Sequence, residues 1–328
     1  MAGRQILIAA CVGLLSLIGD AHAQGDYPNK AVRIIVDSGP GSATDVAVRI
    51  VGERLSKIWN QQVLALNHPG AGGSIAARTA SQSPNDGYTL YFGAASTFTA
   101  LAGAPGVPAN LPIQVPRDFL PIGFVTQQPM FIAVSPKLGI TSLPDLIAQA
   151  KKRPGEISYA TTGIGRITHL TMELLQMRAG IKLQMVPYAG GPSQALSDLI
   201  AGRVAIVLDG YSGLAAGWEG GSLKGIAVAT TERLPEFPNL PTVAETLPGF
   251  FAGGWNVLLA PVGTPEPIVR KVSADLRTAL ADPEVKKKLA GLGAYTRPMS
   301  PQELTAFIQE QQKIWKPVAE AVAKTQKK

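Results

Sequence analysis

The chain has 328 residues, a formal charge of +7, one cysteine and three histidines. That length supports two domains with sizeable cores. The basic excess, much of it in Lys286-Lys287-Lys288 and Lys324 to Lys328, lacks the clustered patch with interleaved aromatics that marks a nucleic-acid footprint, so nucleic acid is not an expected partner.

The N-terminus reads as a leader. Arg4 supplies a positive start, Gln5 to Ile18 a mostly apolar stretch, and Ala21-His22-Ala23 the small-x-small pattern of a cleavage site, with the mature chain beginning at Gln24. The apolar run is shorter than the about 20 residues a bilayer span needs. A lipoprotein box at Ile8-Ala9-Ala10-Cys11 is the competing reading, but it leaves too little apolar chain before the cysteine. Export to the periplasm is the expectation. Cleavage removes Cys11 and His22, which excludes disulfides, a thiolate nucleophile and Cys-ligated metals, and leaves only His68 and His169. No metal or cofactor is expected. A mildly basic exported protein weakly favours anionic solutes.

In chain order, Val32 to Val36 reads as a buried strand entering Asp-Ser-Gly-Pro-Gly. Apolar residues at helical spacing follow from Thr44 or Asp45 to Leu55. Gln62 to Leu66 is a second strand running into Asn67-His68-Pro69-Gly70-Ala71-Gly72-Gly73, and Ser74 to Ser81 a helix. Tyr88 to Phe92 is a third strand. The series then recurs: a strand at Ile157 to Ala160 and a helix through Met177, a strand at Leu183 to Val186 and a helix through Ile200, and a strand at Val204 to Leu208 ending in Asp209. Strands alternating with helices imply mostly parallel sheets with helices on both faces.

Laid over each other, Ser38-Gly39-Pro40-Gly41-Ser42-Ala43-Thr44 matches Thr162-Gly163-Ile164-Gly165-Arg166-Ile167-Thr168, each a hydroxyl-G-x-G-x-x-T between a strand and a helix. The offset stays near 120 residues for all three strands, which points to two similar lobes. The chain is expected to change lobes near Phe124 to Gln128 and to return near Gly249 to Trp255. A strand at Asn256 to Ala260 and helices at Pro265 to Leu280, Pro283 to Leu289 and Pro301 to Ala323 then follow. The lobes are expected at 24–124 plus 252–328 and at 125–251, with the two crossings forming a hinge.

Catalytic chemistry finds little support. Gly39-x-Gly41 lacks the third glycine and the later acidic residue of a dinucleotide fingerprint. Gly210-Tyr211-Ser212-Gly213 lacks the closing glycine of a nucleophile elbow, and His68 and His169 read as loop and capping residues. A Gly-rich turn at a helix start exposes N–H groups at the positive end of the dipole, so two such turns across a cleft make two anion cradles. The glycines also suit tight strand-to-helix turns alone.

Several motifs in order carry a resemblance: Tyr27-Pro28, Gly41-x-x-x-Asp45, Asn67-x-Pro69-Gly70-Ala71-Gly72-Gly73, Asp86-Gly87-Tyr88-Thr89-Leu90, Gly163-x-Gly165-x-x-x-His169-Leu170, Val186-Pro187-Tyr188-x-Gly190-Gly191, Pro241-Thr242-Val243-Ala244-Glu245 and Ala260-Pro261-x-Gly263-Thr264-Pro265. Across essentially the whole mature chain, the sequence resembles Bug-type receptors, the periplasmic solute-binding proteins of tripartite tricarboxylate transporters. The resemblance implies a type II periplasmic-binding-protein fold, two doubly wound α/β lobes joined by a two-crossing hinge. It implies a monomeric receptor for a small carboxylate (a di- or tricarboxylate, an acidic amino acid or an aromatic acid), delivered to membrane permease subunits. The alternative is a stand-alone sensor or enzyme on the same fold. By position it implies ligand contacts from Ser38, Ser42, Ala43, Thr44, Gly72 and Gly73 in one lobe, and from Thr162, Gly163, Gly165, Thr168 and Asp209 in the other. The sequence departs from the family at Asp37-Ser38, where Pro-Phe is usual, and at Ser42, where Gly is frequent; losing that Phe alters the pocket wall. Arg166 stands where small residues are common, and reads either as a surface arginine or as a bidentate carboxylate partner. Asp209 either accepts from a ligand amine or hydroxyl, or caps loop N–H groups.

Overall fold

The computed structural model describes residues 27–100, 107–161, 163, 166–188 and 192–325. The leader and its cleavage point, and the candidates Thr162 and Gly165, lie outside the described residues. Ten strands run β1 (Val32–Val36), β2 (Val63–Asn67), β3 (Thr89–Ala94), β4 (Phe119–Pro129), β5 (Phe131–Val134), β6 (Ser158–Thr161), β7 (Gln184–Pro187), β8 (Ile206–Asp209), β9 (Lys224–Val228) and β10 (Gly253–Pro261). The helices are α1 (Ala43–Trp59), α2 (Ser74–Ser81), α3 (Ser96–Thr99), α4 (Leu143–Lys152), α5 (Ile167–Ala179), α6 (Pro192–Ala201), α7 (Tyr211–Glu219), α8 (Val243–Thr246), α9 (Glu266–Ala281), α10 (Pro283–Ala290) and α11 (Pro301–Thr325).

Two five-stranded sheets result, ordered β2-β1-β3-β10-β4 and β7-β6-β8-β5-β9. The orders follow one pattern. In each sheet four strands share a direction and one opposes them: β10 in the first and β5 in the second. The reversed strand is in both cases the one that follows a crossing, because the chain then enters the lobe from its hinge end. Met130 alone separates β4 from β5. The return passes beside it, with Ala229 N donating to Met130 O at 2.8 Å and Ala252 N to Ala229 O at 3.0 Å.

The crossing lies later than the sequence places it. Residues 125–129, expected in the second lobe, continue the first sheet, where Gln127 pairs with Trp255 and Pro129 with Gly253. Pro121, Gly123 and Pro129 hide this strand in the sequence; β4 tolerates the prolines because it is an edge strand.

Each sheet is buried on both faces, as a sheet covered by helices requires. In the first, Val32, Ile34 and Val36 face Val48 and Leu55 of α1, while Ile35, Tyr91 and Trp255 form the opposite layer. In the second, Ile132, Val134 and Tyr159 pack on one side, and Phe131, Ala133 and Val207 on the other.

α11 belongs to neither lobe alone. Its apolar stripe begins with Leu304 and Ile308 in the first lobe's core and continues with Trp315, Val318 and Val322 in the second lobe's core. Between them Gln312 Nε2 donates to Phe98 O and Ile113 O, both at 3.0 Å. The sequence assigned 252–328 to the first lobe; helical spacing reveals an apolar face but not which core receives it. The helix is thus a third connection between the lobes. Trp315→Ala, which empties a fully buried site, is expected to lower stability by about 3–5 kcal/mol, read by urea unfolding; a loss under 1 kcal/mol would contradict this packing.

Candidate functional site at the interlobe cleft

The C-terminal ends of β1 and β3 converge on one rim of the first lobe, and those of β6 and β8 on one rim of the second, where open α/β sheets bind ligands. The two turns share one hydrogen bond and one N-cap conformation, although Gly163 sits at φ +138° and Gly39 is not at positive φ. Ser42 N donates to Gly39 O at 3.3 Å, and Arg166 N to Gly163 O at 3.2 Å. Ser42 is the N-cap of α1 at φ −69° and ψ 158°, and Arg166 the N-cap of α5 at φ −72° and ψ 159°. The repeat in the sequence is therefore a repeat in space.

In the first lobe Asp45 fixes the turn. Ser42 Oγ accepts from Asp45 N at 3.2 Å, and the Asp45 carboxylate accepts from Gly41 N at 2.9 Å, Asn67 Nδ2 at 2.8 Å and Arg49 Nε at 3.0 Å. Burial favours the neutral acid, but the hydrogen bonds from Arg49, Gly41 and Asn67 outweigh it and hold the carboxyl below its ordinary range. Asn67 Nδ2 also donates to Ser38 O at 2.9 Å, tying the end of β2 to the turn. Among the described residues, the N–H groups of Ala43 and Thr44 have no acceptor within the helix start.

Thr44 is buried, and its Oγ1 accepts from Asn256 Nδ2 at 3.3 Å; Asn256 Oδ1 in turn accepts from Thr126 at 3.0 Å. The loop of Gly72 and Gly73 closes the same rim. Gly73 sits at φ +95°, and a Cβ there would come within 2.2 Å of Thr97 and 3.0 Å of Asp37 Oδ2, so no larger residue fits. Asp37 is buried beside buried Ser38 and accepts from Ala94 N at 2.8 Å. Burial pushes its carboxyl up, against the opposing charge of Arg166.

In the second lobe, Thr168 is buried, with its hydroxyl 3.0 Å from that of Thr161, which also bonds Gly163 O at 3.2 Å. Asp209 accepts from Gly210 N at 2.7 Å; burial pushes its pKa up to about 6, opposed by the Gly210 N–H and by Arg166. His169 is buried in α5, 3.8 Å from Glu173, and burial lowers its pKa while Glu173 opposes the shift. No cluster of metal-ligating side chains occurs among the described residues.

Arg166 joins the two rims. Its Nη1 donates to Ser96 Oγ at 3.0 Å, from the start of α5 to the start of α3 in the other lobe. In the sequence Arg166 reads either as a surface arginine or as a ligand partner; its contact with Ser96, 70 residues away, leaves no local trace there. Ser38, Ser42, Ala43, Thr44, Gly72 and Gly73 thus share one rim, and Gly163, Arg166, Thr168 and Asp209 the other.

Two facing strand-end rims, each opening a helix and linked by a side chain across the gap, define a two-lobed binding protein of the periplasmic solute-receptor class. The chain belongs to the tripartite tricarboxylate transporter family receptors, TctC, which it matches over residues 47–323. It is a solute-binding receptor and not an enzyme. It is similar to an R. palustris protein solved with adipate (30% identical, TM-score 0.82, covering 90% of this chain and 98% of that one). It is similar also to the periplasmic binding protein BugD (30%, TM-score 0.79, 90% and 98%) and to MatC from Rhodopseudomonas palustris with bound malate (28%, TM-score 0.79, 89% and 100%).

An acid whose folded-state pKa lies above its unfolded one stabilises the fold while protonated, and that contribution is lost as pH rises through about 6. Asp209→Asn, held neutral, is expected to melt higher than the parent at pH 8 and level with it at or below pH 4. A variant that melts lower at pH 8 would mean that the carboxylate is a net stabilising partner.

Proposed function

We propose that this receptor is exported to the periplasm with its leader removed after Ala23. There it acts as a monomer that holds a small carboxylate between the turns 38–44 and 162–168 and delivers it to a membrane permease. The observation that carries the reading is the Arg166–Ser96 contact, which brings a guanidinium and the α5 start to the rim formed by Ser38 to Thr44. One ligand carboxylate rests on the N–H groups of Ala43 and Thr44, with Ser38, Ser42, Gly72 and Gly73 around it, at the positive end of α1. Its other end meets Gly163, Arg166, Thr168 and Asp209. Adipate and malate, found with two structurally similar proteins, are both small dicarboxylates, which supports this ligand class here.

Thermal-shift screening against malate, adipate, citrate, aspartate and benzoate tests the reading. A true ligand at 100 times its dissociation constant stabilises the fold by about 2.7 kcal/mol, a rise of a few degrees. Arg166→Ala is expected to weaken that ligand about tenfold or more, as loss of a charged hydrogen bond does. Thr44→Val, which removes the hydroxyl partner of Asn256 as well, is expected to weaken it by roughly 0.5–3 kcal/mol. No shift with any small carboxylate, or full affinity in both variants, would contradict the proposal.

A further inference from the structure

A cavity of about 400 Å³ lies at the free edge of β4 in the first lobe, with Glu236 of the second lobe on its rim, and shares no residue with the cleft rims. It forms because β4 is the outermost strand of its sheet and its free edge is covered in two pieces. Near the hinge, Tyr295 lies alongside that edge, exchanging backbone bonds of 2.7 and 2.8 Å with Gln127. Farther back α9 leans on it, with Leu276 close enough to Gly123 that a Cβ there would come within 2.8 Å of Leu276 Cδ2. The cavity lies between these two covers and is closed by α10 and the chain before α11.

Its chemistry is divided. Phe124, Leu276, Leu280 and Met299 line it and are buried. At the rim stand two exposed cations, Arg277 and Lys286, neither of which makes an ion pair among the described residues; Arg277 bonds only Ser273 Oγ, at 3.4 Å. Glu236, an acid on the rim reached from the second lobe, accepts from the Tyr295 hydroxyl. The rim therefore keeps net positive charge over an apolar interior. A cavity of this size, mostly apolar with a few polar groups at one side, is suited to a small molecule. The interior demands a hydrocarbon body, and the cations demand a negative head.

We infer that this cavity is a second ligand site, taking an amphipathic monoanion with one carboxylate on a hydrocarbon body of the size of a medium-chain fatty acid. It differs in kind from the cleft, whose polar backbone groups suit a small hydrophilic acid. The cavity shares no lining residue with the cleft rims, so this inference does not rest on the function proposed above.

Isothermal titration of the mature protein with decanoate, with decanol as the uncharged control, tests it. Decanoate is expected to bind about fivefold or more tightly than decanol. Arg277→Glu and Lys286→Glu, both on exposed side chains, are each expected to weaken decanoate about threefold while leaving decanol unchanged. Ala290→Trp, which fills the cavity, is expected to remove binding of both, while Arg166→Ala in the cleft changes neither. The inference is overturned if decanoate does not bind, if decanoate and decanol bind alike, if the charge reversals have no effect, or if Arg166→Ala abolishes binding.

Discussion

The carboxylate of Asp45 is the interaction on which the first half of the cleft depends. It gathers Gly41 N, Asn67 Nδ2 and Arg49 Nε at 2.8–3.0 Å. Those bonds come from the turn after β1, from the end of β2 and from α1 itself. One buried charge thereby sets two Gly-containing loops and a helix N-terminus as a single surface. The cost of burying it is offset by charge-assisted hydrogen bonds, which are the stronger kind. In the second lobe, among the described residues, the Thr161 hydroxyl meets that of Thr168 and the Gly163 carbonyl, and His169 and Glu173 stand at the positions equivalent to Asp45 and Arg49. Arg166 stands at the position equivalent to Ser42. The duplicated scaffold has thus been divided into a half that is fixed and a half that reaches across.

Arg166 sits in the field of two acids, Asp37 from the first lobe and Asp209 from the second, both disfavoured as anions by burial. On the function proposed above, a ligand carboxylate in the cleft would share that one guanidinium with them. Asp45 already stands in the first turn of α1, where its carboxylate takes the Gly41 N–H, which leaves the N–H groups of Ala43 and Thr44 as the free donors of that turn among the described residues. The C-terminal helix adds a mechanical constraint. Because Leu304 and Ile308 are anchored in one core, and Trp315 and Val318 in the other, motion between lobes must strain or bend α11 as well as the strands around Met130 and Ala229.

Much of this was legible in the sequence. The apolar runs at Val32, Gln62 and Tyr88 and their counterparts some 120 residues on mark six strands, and the spacing of the two Gly-rich turns marks both helix starts. These signals are local, so periodicity and turn chemistry reveal them. Asp45 and Asn67 were visible as motif residues, but their bond was not, because a contact 22 residues apart leaves no local trace. β4 was hidden by its prolines and by the Gln pair at its end. The destination of Trp315, the reach of Arg166 to Ser96 and the protonation of Asp209 all depend on what the fold brings near. A stripe or a charge alone does not say what lies opposite.

In the proposed function, one small carboxylate is held by both turns at once. A crystal structure of the mature protein with its most stabilising carboxylate tests this most directly. Ligand oxygens are expected within hydrogen-bonding distance of the Ala43 and Thr44 N–H groups, with Arg166 or the Thr168 turn at the opposite end. A ligand bound to one lobe alone, or seated away from both turns, would contradict it.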